Sequence, residues 1–561
     1  MNNKIGMLPV AGRGSRMFSL TDENPKVMLP LHNKPLIAYH LDKFINEGIS
    51  IVNVIVGYKK EKVISYINRF YNDKFDKIIF TEQTELLGLA HAVAKGIDDL
   101  SNILDLTKYS LIINLGDTIT DDKKYTSNDI LDFVGWHKVT DYKRWCLLDV
   151  DANGNVNTFI DKPDTDPQTR KAVIGIYGFS DILFLRSCIS SIVLDNIKIK
   201  NEFQLSSAMD IYISKGKSLQ PIEFQSWNDV GDIEAYSKAK KNIARHFNSI
   251  EVTNENTIIK KSSNSDKIEK EINWYLNIPN KLRVYTPQLI DYDFGSNAKY
   301  ELEYINYSPL HELFVYNMPD MFDWDKILNN IFNMIDRFRI YSTKANFNTE
   351  RHLYKVLIEK TFSRINELYS FDDYDFKSLM WEKDTIVIND KKYKNYKILF
   401  NNKSITQYYD DNFKNNSRKY WQVIHGDLFF GNMLYDINYN NLKIIDPKGD
   451  FDLPGVYGDI RYDISKLNHS IVGKYDFIVN GLYSLTQESN NTFSYIIYDG
   501  DKHIELEKLF KKYCQQQNMC YEDITFITGL LFLSMIPLHK ENLNNQKMFY
   551  FKAIELLNEV L

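Results

Sequence analysis

The rhythm of apolar and polar positions changes near residue 240 of this chain. Before it, short apolar runs alternate with amphipathic stretches. KIGMLPVAG (4–12), IVNVIVGY (51–58), KIIFTEQ (77–83) and SLIINLGD (110–117) predict strands buried on both faces. LIAYHLDKFINEG (36–48), EKVISYINRFY (61–71) and LAHAVAKGIDDL (89–100) carry apolar residues three and four apart and predict helices with one buried stripe. Strands alternating with helices predict an α/β unit with a mainly parallel sheet. Such sheets bind ligands at the carboxyl ends of their strands.

The polar helix EAYSKAKKNIARHF (234–247) closes this unit, placed at 1–242. The next unit, 250–561, opens with SIEVTNENTIIKKSS (249–263), which alternates like a hairpin. DKIEKEINWYLNIP (266–279) reads as a helix and YELEYIN (300–306) as a strand. Beyond about residue 320, long helices dominate. The stretch 371–416, rich in Asp, Asn, Lys and Tyr, reads as an exposed insertion. An amino lobe at about 250–310 and a helical lobe at about 311–561 follow, making the second unit α+β and bilobal.

The 561 residues exceed what one core organises. With 44% apolar and 25% charged residues and a net charge of -6, the composition is globular. Interspersed charge without a basic block argues against a nucleic-acid partner. The cysteines Cys146, Cys188, Cys514 and Cys520 fit neither a zinc site nor a disulfide framework. The first apolar run is too short for a signal peptide. ITFITGLLFLSMIPL (524–538) is too short to span a bilayer and reads as a core helix. The expectation is a cytoplasmic protein without membrane insertion, its oligomeric state left open, a homo-oligomer included.

AGRGSRM (11–17) follows a strand. Gly12 and Gly14 let backbone N–H groups approach an anionic ligand. Met17 stands where a dinucleotide fingerprint needs its third glycine. Arg16 and Lys26 add two cations suited to a triphosphate; the alternative is a surface turn with solvated charges. Asp117 and Asp229 follow apolar segments and together would suit Mg2+, a hard ion with oxygen ligands. Gln83 and Gly88 precede a helix, and a glutamine amide can read a base edge.

In order, AGRGSRM, NPKVMLPL (24–31), EQTELLGLAHAV (82–93), LGDT (115–118), FIDKP (159–163), VIGIYGF (173–179), NEFQLSSAMDIYISKG (201–216) and WNDVGD (227–232) resemble the sugar-phosphate nucleotidylyltransferases. The resemblance covers about residues 4–240 and implies a Rossmann-like nucleotidyltransferase domain. It implies nucleotide contacts from Gly12, Gly14, Ser15, Gln83 and Gly88, and catalytic neutralisation by Arg16 and Lys26. It further implies Mg2+ at Asp117 and Asp229, and an acceptor along Lys162, Gly175 and Glu202. Val10 and Asp161 replace residues usual in that family.

VIHGDLFFGNMLYD (423–436) and LKIIDPKGD (442–450) carry a second constellation. His425, Asp427, Asn432 and Asp446 keep the protein-kinase spacing H-x-D-x-x-x-x-N followed by a strand aspartate. There Asp427 would accept a hydroxyl proton, Asn432 and Asp446 would hold Mg2+, and His425 would brace the loop. The alternative is a turn between strands with a satisfied histidine. Lys260 or Lys261, with Glu271, would grip ATP phosphates; alternation does not separate the lysines, and Lys261 is slightly preferred. With GDIRYDISKLNHSI (458–471), in which Asp463 reads as structural, the region resembles the aminoglycoside phosphotransferase and choline kinase family. The acidic run ELYSFDDYDF (367–376) would suit a cationic substrate, but reads better as a solvated loop.

Joined, the two resemblances imply a bifunctional enzyme. It would phosphorylate a small alcohol or sugar with ATP, then couple the phosphate to a nucleoside monophosphate from a second NTP, for surface polysaccharide synthesis. The alternatives are CDP-choline or CDP-ethanolamine synthesis, and a nucleotidylyltransferase with a regulatory kinase-like module. Antibiotic inactivation by the second unit makes little sense of the fusion.

Overall fold

The computed structural model describes all residues except 1–2, 22–24, 32–33, 121–129, 200, 233–234, 237–238, 240–249, 254–256, 263, 317–318, 344–347, 369–373 and 541. The chain divides into two compact units, Met1–Ile243 and Ala244–Leu561.

The first unit is built on a nine-stranded sheet. Its strands are β1 (Asn3–Pro9), β2 (Ile51–Val56), β3 (Lys77–Glu82) and β4 (Tyr109–Asn114), then β6 (Phe133–Lys138), β7 (Cys146–Val150), β8 (Val156–Asp161), β9 (Lys171–Phe179) and β10 (Gln220–Glu223). The short β5 (Thr118–Ile119) and β11 (Asn228–Asp229) form a separate ladder. The order is β8-β7-β9-β4-β1-β2-β3, with β6 joining β9 to β10. Helices α1 (Leu36–Asn46), α2 (Lys60–Phe70), α3 (Leu89–Ser101), α4 (Ile182–Leu194) and α5 (Leu205–Ser214) complete the unit.

The expected mainly parallel sheet is corrected to a mixed one. β4, β1, β2 and β3 are parallel, but β9 runs antiparallel to β4, β6 and β7. Loops rather than helices join β6 through β9; β8 folds back on β7, and β9 runs antiparallel between β6 and β7. Ile5, Met7, Leu111 and Ile113 of the sheet pack with Val93, Ile97, Leu185 and Tyr212 of the helices.

The second unit opens with an antiparallel sheet, β12 (Ile250–Val252), β13 (Thr257–Lys261), β14 (Leu289–Asp293) and β15 (Lys299–Glu303), in the order β12-β13-β15-β14. Helix α6 (Ser265–Asn277) follows β13, its first turn capped by the Asn264 side chain accepting from Lys267 N–H at 3.2 Å. The rest is largely helical, including α7 (Met321–Arg339), α8 (Lys360–Glu367), α9 (Ile460–Ile471), α10 (Tyr521–Met535) and α11 (Leu543–Val560). Tyr521–Leu538 is apolar and long enough to cross a membrane, yet 83% of it is buried within the protein. It serves as a core segment here.

The exposed insertion expected at 371–416 is also corrected. Strands β16 (Thr385–Ile388) and β17 (Lys391–Lys394) join β18 (Tyr483–Ser489) and β19 (Thr492–Ile497) in one sheet. Leu379, Ile386, Ile388, Leu399, Tyr409 and Phe413 are buried. The polar composition hid apolar residues at strand and helix spacing. The acidic run 367–376 falls partly outside the described residues.

Candidate active sites

In the first unit, the backbone after β1 is drawn against β2, with Val10 N–H donating to Ile55 O at 2.9 Å. Gly14 has φ 73, and a Cβ there would lie 2.8 Å from Lys26 Cβ, so glycine admits both the turn and the lysine. Above Gly12 there is open space to 4 Å. Lys26 Nζ pairs with Asp117 Oδ2 at 2.8 Å. The β5–β11 ladder sets Asp229 opposite Thr118, and Val230 N–H donates to Asp117 O at 2.9 Å. The carboxylate that pairs with Lys26 is thus brought next to a second one from a distant segment, Asp229.

Their charge states differ. Burial raises the Asp117 pKa, but Lys26 and Arg16 outweigh it and hold the group below its ordinary value. Burial, then the Asp117 charge, pushes Asp229 up to about 6 against Lys26 and the Gly231 N–H. Two facing carboxylates with too little positive charge between them fit a divalent cation in chemistry and position. Among the described residues, no group of three or more His, Cys, Asp or Glu forms a protein-only metal cage.

Gln83 is buried, with Nε2 3.5 Å from Gly88 O and 3.3 Å from His91 Nδ1. Gly88 has φ 110, and a Cβ there would lie 2.6 Å from Phe203 O and 3.0 Å from Glu202 Cβ. This places the Gln83 segment beside exposed Glu202. Lys162 is exposed at φ 47, its N–H donating to Trp145 O at 3.0 Å. At Gly175, φ 84, a Cβ would lie 2.7 Å from Leu115 Cδ1, so this glycine serves backbone packing against β4's end. Ser15 and Arg16 are exposed at the start of a short helical turn.

Sequence reasoning missed an aromatic group next to Lys162. Trp145 and Trp227 meet edge to face at 4.6 Å, with His137 6.1 Å from Trp227. Trp227 Nε1 is buried without a hydrogen-bond partner. WNDVGD contained this tryptophan, but nothing in the motif pairs it with Trp145.

The second unit's site joins strand, helix and loop. Lys260 Nζ lies 2.8 Å from Glu271 Oε2 on α6 and 3.0 Å from Asp446 Oδ1. Burial lowers the Lys260 pKa, but Asp446 and Glu271 reverse this and raise it overall. Tyr300 O–H also donates to Glu271, at 2.6 Å. The slight preference for Lys261 is corrected: Lys261 is exposed on the opposite face of β13, 3.8 Å from Glu251. Successive strand residues point to opposite faces, and α6 covers the Lys260 face.

α6 also rests on the loop after Asp446. A Cβ on Gly449, at φ 65, would overlap the Lys270 carbonyl oxygen, and Lys270 pairs with Asp450 at 2.9 Å. Asp446 itself sits at φ 58. Non-glycine residues seldom adopt such values outside constrained sites.

The loop at 425–432 is braced by α9. Asp463 accepts N–H bonds from His425 at 2.7 Å and Gly426 at 2.8 Å. His425 Nδ1 accepts from Asp427 N–H at 3.3 Å, so Nε2 carries the proton and donates to Ile445 O at 2.9 Å. Burial holds His425 down to about 4, as a neutral brace. Asp427 Oδ1 pairs with Lys466 at 2.9 Å, and its Oδ2 accepts from Asn432 Nδ2 at 3.3 Å. Burial opposes ionisation of Asp427, but Lys466 overcomes this and keeps its pKa below the ordinary value. Asn432 donates through its amide nitrogen and so keeps its oxygen for a cation; with Asp446 this oxygen set suits Mg2+. Lys466 was not foreseen, although it follows Asp463 by nearly one turn of α9.

Residues 5–246 match the family model described as Nucleotidyl transferase. The UTP–glucose-1-phosphate uridylyltransferase AglF of Haloferax volcanii is 27% identical over 240 residues, 42% of this chain and 93% of that protein. The low-salt glycan biosynthesis nucleotidyltransferase Agl11 of the same organism is 27% identical over 243 residues, 42% of this chain and 65% of that protein. The bifunctional protein GlmU of Methanococcus maripaludis is 28% identical over 228 residues, 39% of this chain and 50% of that protein. The chain thus spans most of AglF but only half of that GlmU. A solved UDP-glucose pyrophosphorylase complexed with UDP-glucose aligns with a TM-score of 0.37 at 21% identity, covering 44% of this chain and 99% of that one. The first unit is a nucleotidyl transferase domain, with sugar-phosphate nucleotidyltransferases among its homologues.

Proposed function

We propose that the chain is a bifunctional transferase whose two units act on different phosphorus atoms. In the first, a phosphomonoester oxygen of a sugar or polyol phosphate attacks the α-phosphorus of an NTP, and pyrophosphate leaves. The observation that carries this reading is the meeting of Lys26, Asp117 and Asp229 beside the open backbone at Gly12, within a nucleotidyl transferase domain. Arg16 and Lys26 neutralise the phosphates, and positioning rather than a covalent intermediate does the catalysis. Asp117 and Asp229 would hold Mg2+, which when bound offsets phosphate charge. Gln83 meets the base and Lys162 the acceptor phosphate. The buried Trp227 N–H awaits an acceptor oxygen, since an unmade buried hydrogen bond costs about 1–3 kcal/mol. The glucose 1-phosphate in AglF's name supports a sugar phosphate for this unit.

In the second unit, the γ-phosphoryl group of ATP passes to the hydroxyl of a small alcohol or sugar. Lys260, fixed by Glu271, holds the ATP phosphates; Asn432 and Asp446 would hold Mg2+, and Asp427 takes the hydroxyl proton. The Lys260–Glu271–Asp446 ion pairs, spanning β13, α6 and the loop, support this assignment. The phosphorylated product is the acceptor of the first unit. The resulting nucleotide-activated compound is of a kind used to build surface polysaccharide.

Pyrophosphate release by the full-length protein tests the first unit, using UTP, CTP, dTTP and GTP in turn with a panel of sugar and polyol phosphates. One NTP should give acceptor-dependent pyrophosphate. No release above the NTP-alone rate with any pair would refute the reading.

A further inference from the structure

The second unit carries a concentration of positive charge on the Asp427 side that the nucleotide assignment does not use. Lys466 comes from α9, Lys448 from the loop after Asp446, and Lys360 and Arg364 from α8. Lys448 is held close to the catalytic loop: its N–H donates to His425 O at 2.9 Å, and a Cβ at Gly426, φ 83, would lie 2.8 Å from Lys448 Cβ. Its ammonium stands over the rings of Phe451 at 5.4 Å and Tyr462 at 5.3 Å. The single carboxylate among these groups, Asp427, already pairs with Lys466 and accepts from Asn432. Asp463, close by, has both oxygens taken by backbone N–H groups. Among the described residues, no carboxylate lies within ion-pair distance of Lys360 or Lys448.

The helix that supplies Lys360 is unusual. Thr349–Tyr354 is α-helical, Lys355–Glu359 forms a π-helical turn, and α8 resumes at Lys360. Such turns cluster at functional sites because they re-aim the residues that follow. The approach of this helix is pinned to the 446–455 loop by His352 and Lys355, which pair with Asp452 at 2.6 and 3.1 Å. Burial, then Lys448, Arg364 and Lys466, lowers the Lys360 pKa to about 6, with Asp427 only partly opposing. With burial the largest cause, the Lys360 amine is mostly neutral near pH 7 until an anion beside it restores its charge. Lys260, by contrast, is surrounded by Asp446 and Glu271. Lys448, and Lys360 once an anion restores its proton, therefore lie on the Asp427 side without a carboxylate partner, opposite in sign to the pocket that a cationic amino alcohol would need.

Resting on the phosphotransfer reading above, we propose that the acceptor alcohol of the second unit carries an anionic group, a carboxylate or a phosphate, held by Lys360 and Lys448 while its hydroxyl faces Asp427. The hydroxyl oxygen forms a bond to the γ-phosphorus as the bond to the β–γ bridging oxygen breaks. Its proton passes to Asp427, and ADP leaves with the bridging oxygen.

The test is ADP release from ATP by the full-length protein with four acceptor classes: hydroxy and sugar acids (glycerate, gluconate), a phosphate-bearing alcohol (glycerol phosphate), neutral polyols and sugars (glycerol, glucose), and choline. An acidic or phosphate-bearing acceptor should be turned over at least tenfold more efficiently than any neutral or cationic one, and the preferred class decides between carboxylate and phosphate. Lys360→Met and Lys448→Met, each checked for an unchanged melting temperature, should raise the acceptor KM at least tenfold and leave the ATP KM within twofold, with Lys360→Arg partly restoring it. Preferred turnover of neutral or cationic acceptors overturns the inference but leaves phosphotransfer standing. A rise in ATP KM alone assigns the cations to the nucleotide and also overturns it. Absence of acceptor-stimulated ADP release with every class brings down the phosphotransfer reading and the inference with it.

Discussion

Lys260 and Lys261 are neighbours of the same chemical type, yet their settings separate them completely. Lys260 pairs with Glu271, only 1% exposed, and with Asp446, while Lys261 reaches only Glu251 in solvent. Removing one partner of a buried ion pair leaves the other uncompensated, at about 3–5 kcal/mol. Lys260→Met should therefore destabilise the second unit by that order and raise the ATP KM in phosphotransfer. Lys261→Met should change stability by less than about 0.5 kcal/mol. Denaturant melts and ATP titrations of the two variants check this. At this scale the motif positions were readable because chemistry fixes their spacing: the Asp427–Asn432 contact follows from one short loop. The facing choice at 260 and 261 was not readable, because β13 is partly buried on both sides and alternation gives no sign.

The loop at 425–432 has its support in α9. Asp463 is fully buried and accepts two loop N–H bonds, and burial pushes its pKa up to about 7. Its folded pKa lies above its unfolded one, so the native state holds the extra proton between the two values. Stability from this group is present at low pH and is lost as pH rises through about 4 to 7. The melting temperature of the second unit should thus fall between about pH 4 and pH 7 more steeply in the natural protein than in Asp463→Asn, which has no carboxylate to ionise. An equal slope in both proteins would contradict this role. Elements were legible where periodicity was strong, as in β1, β2, α1 and α3. The mixed sheet was not, because no helices separate β6 to β9 and their direction depends on which neighbours they meet. The fold of 371–416 was hidden by composition: Asp, Asn and Lys at its turns masked the alternating Ile386 and Ile388 of β16.

Across the whole molecule, the sequence changes character where the chain divides into its two units, and each unit gathers lysines and carboxylates from distant segments. What motifs left out are residues whose partners lie far away in sequence, such as Trp145 with Trp227, and Lys466 with Asp427. The claim that the units attack different phosphorus atoms has one direct measurement. Full-length Asp117→Asn and Asp427→Asn proteins are assayed in parallel for pyrophosphate release with NTP and a supplied sugar or polyol phosphate, and for ADP release with ATP and an alcohol. Asp117→Asn should lose pyrophosphate release by about 10²–10³-fold and keep ADP release. Asp427→Asn should lose ADP release by about 10²–10⁴-fold and keep pyrophosphate release. Loss of both activities in either folded variant would contradict two independent sites.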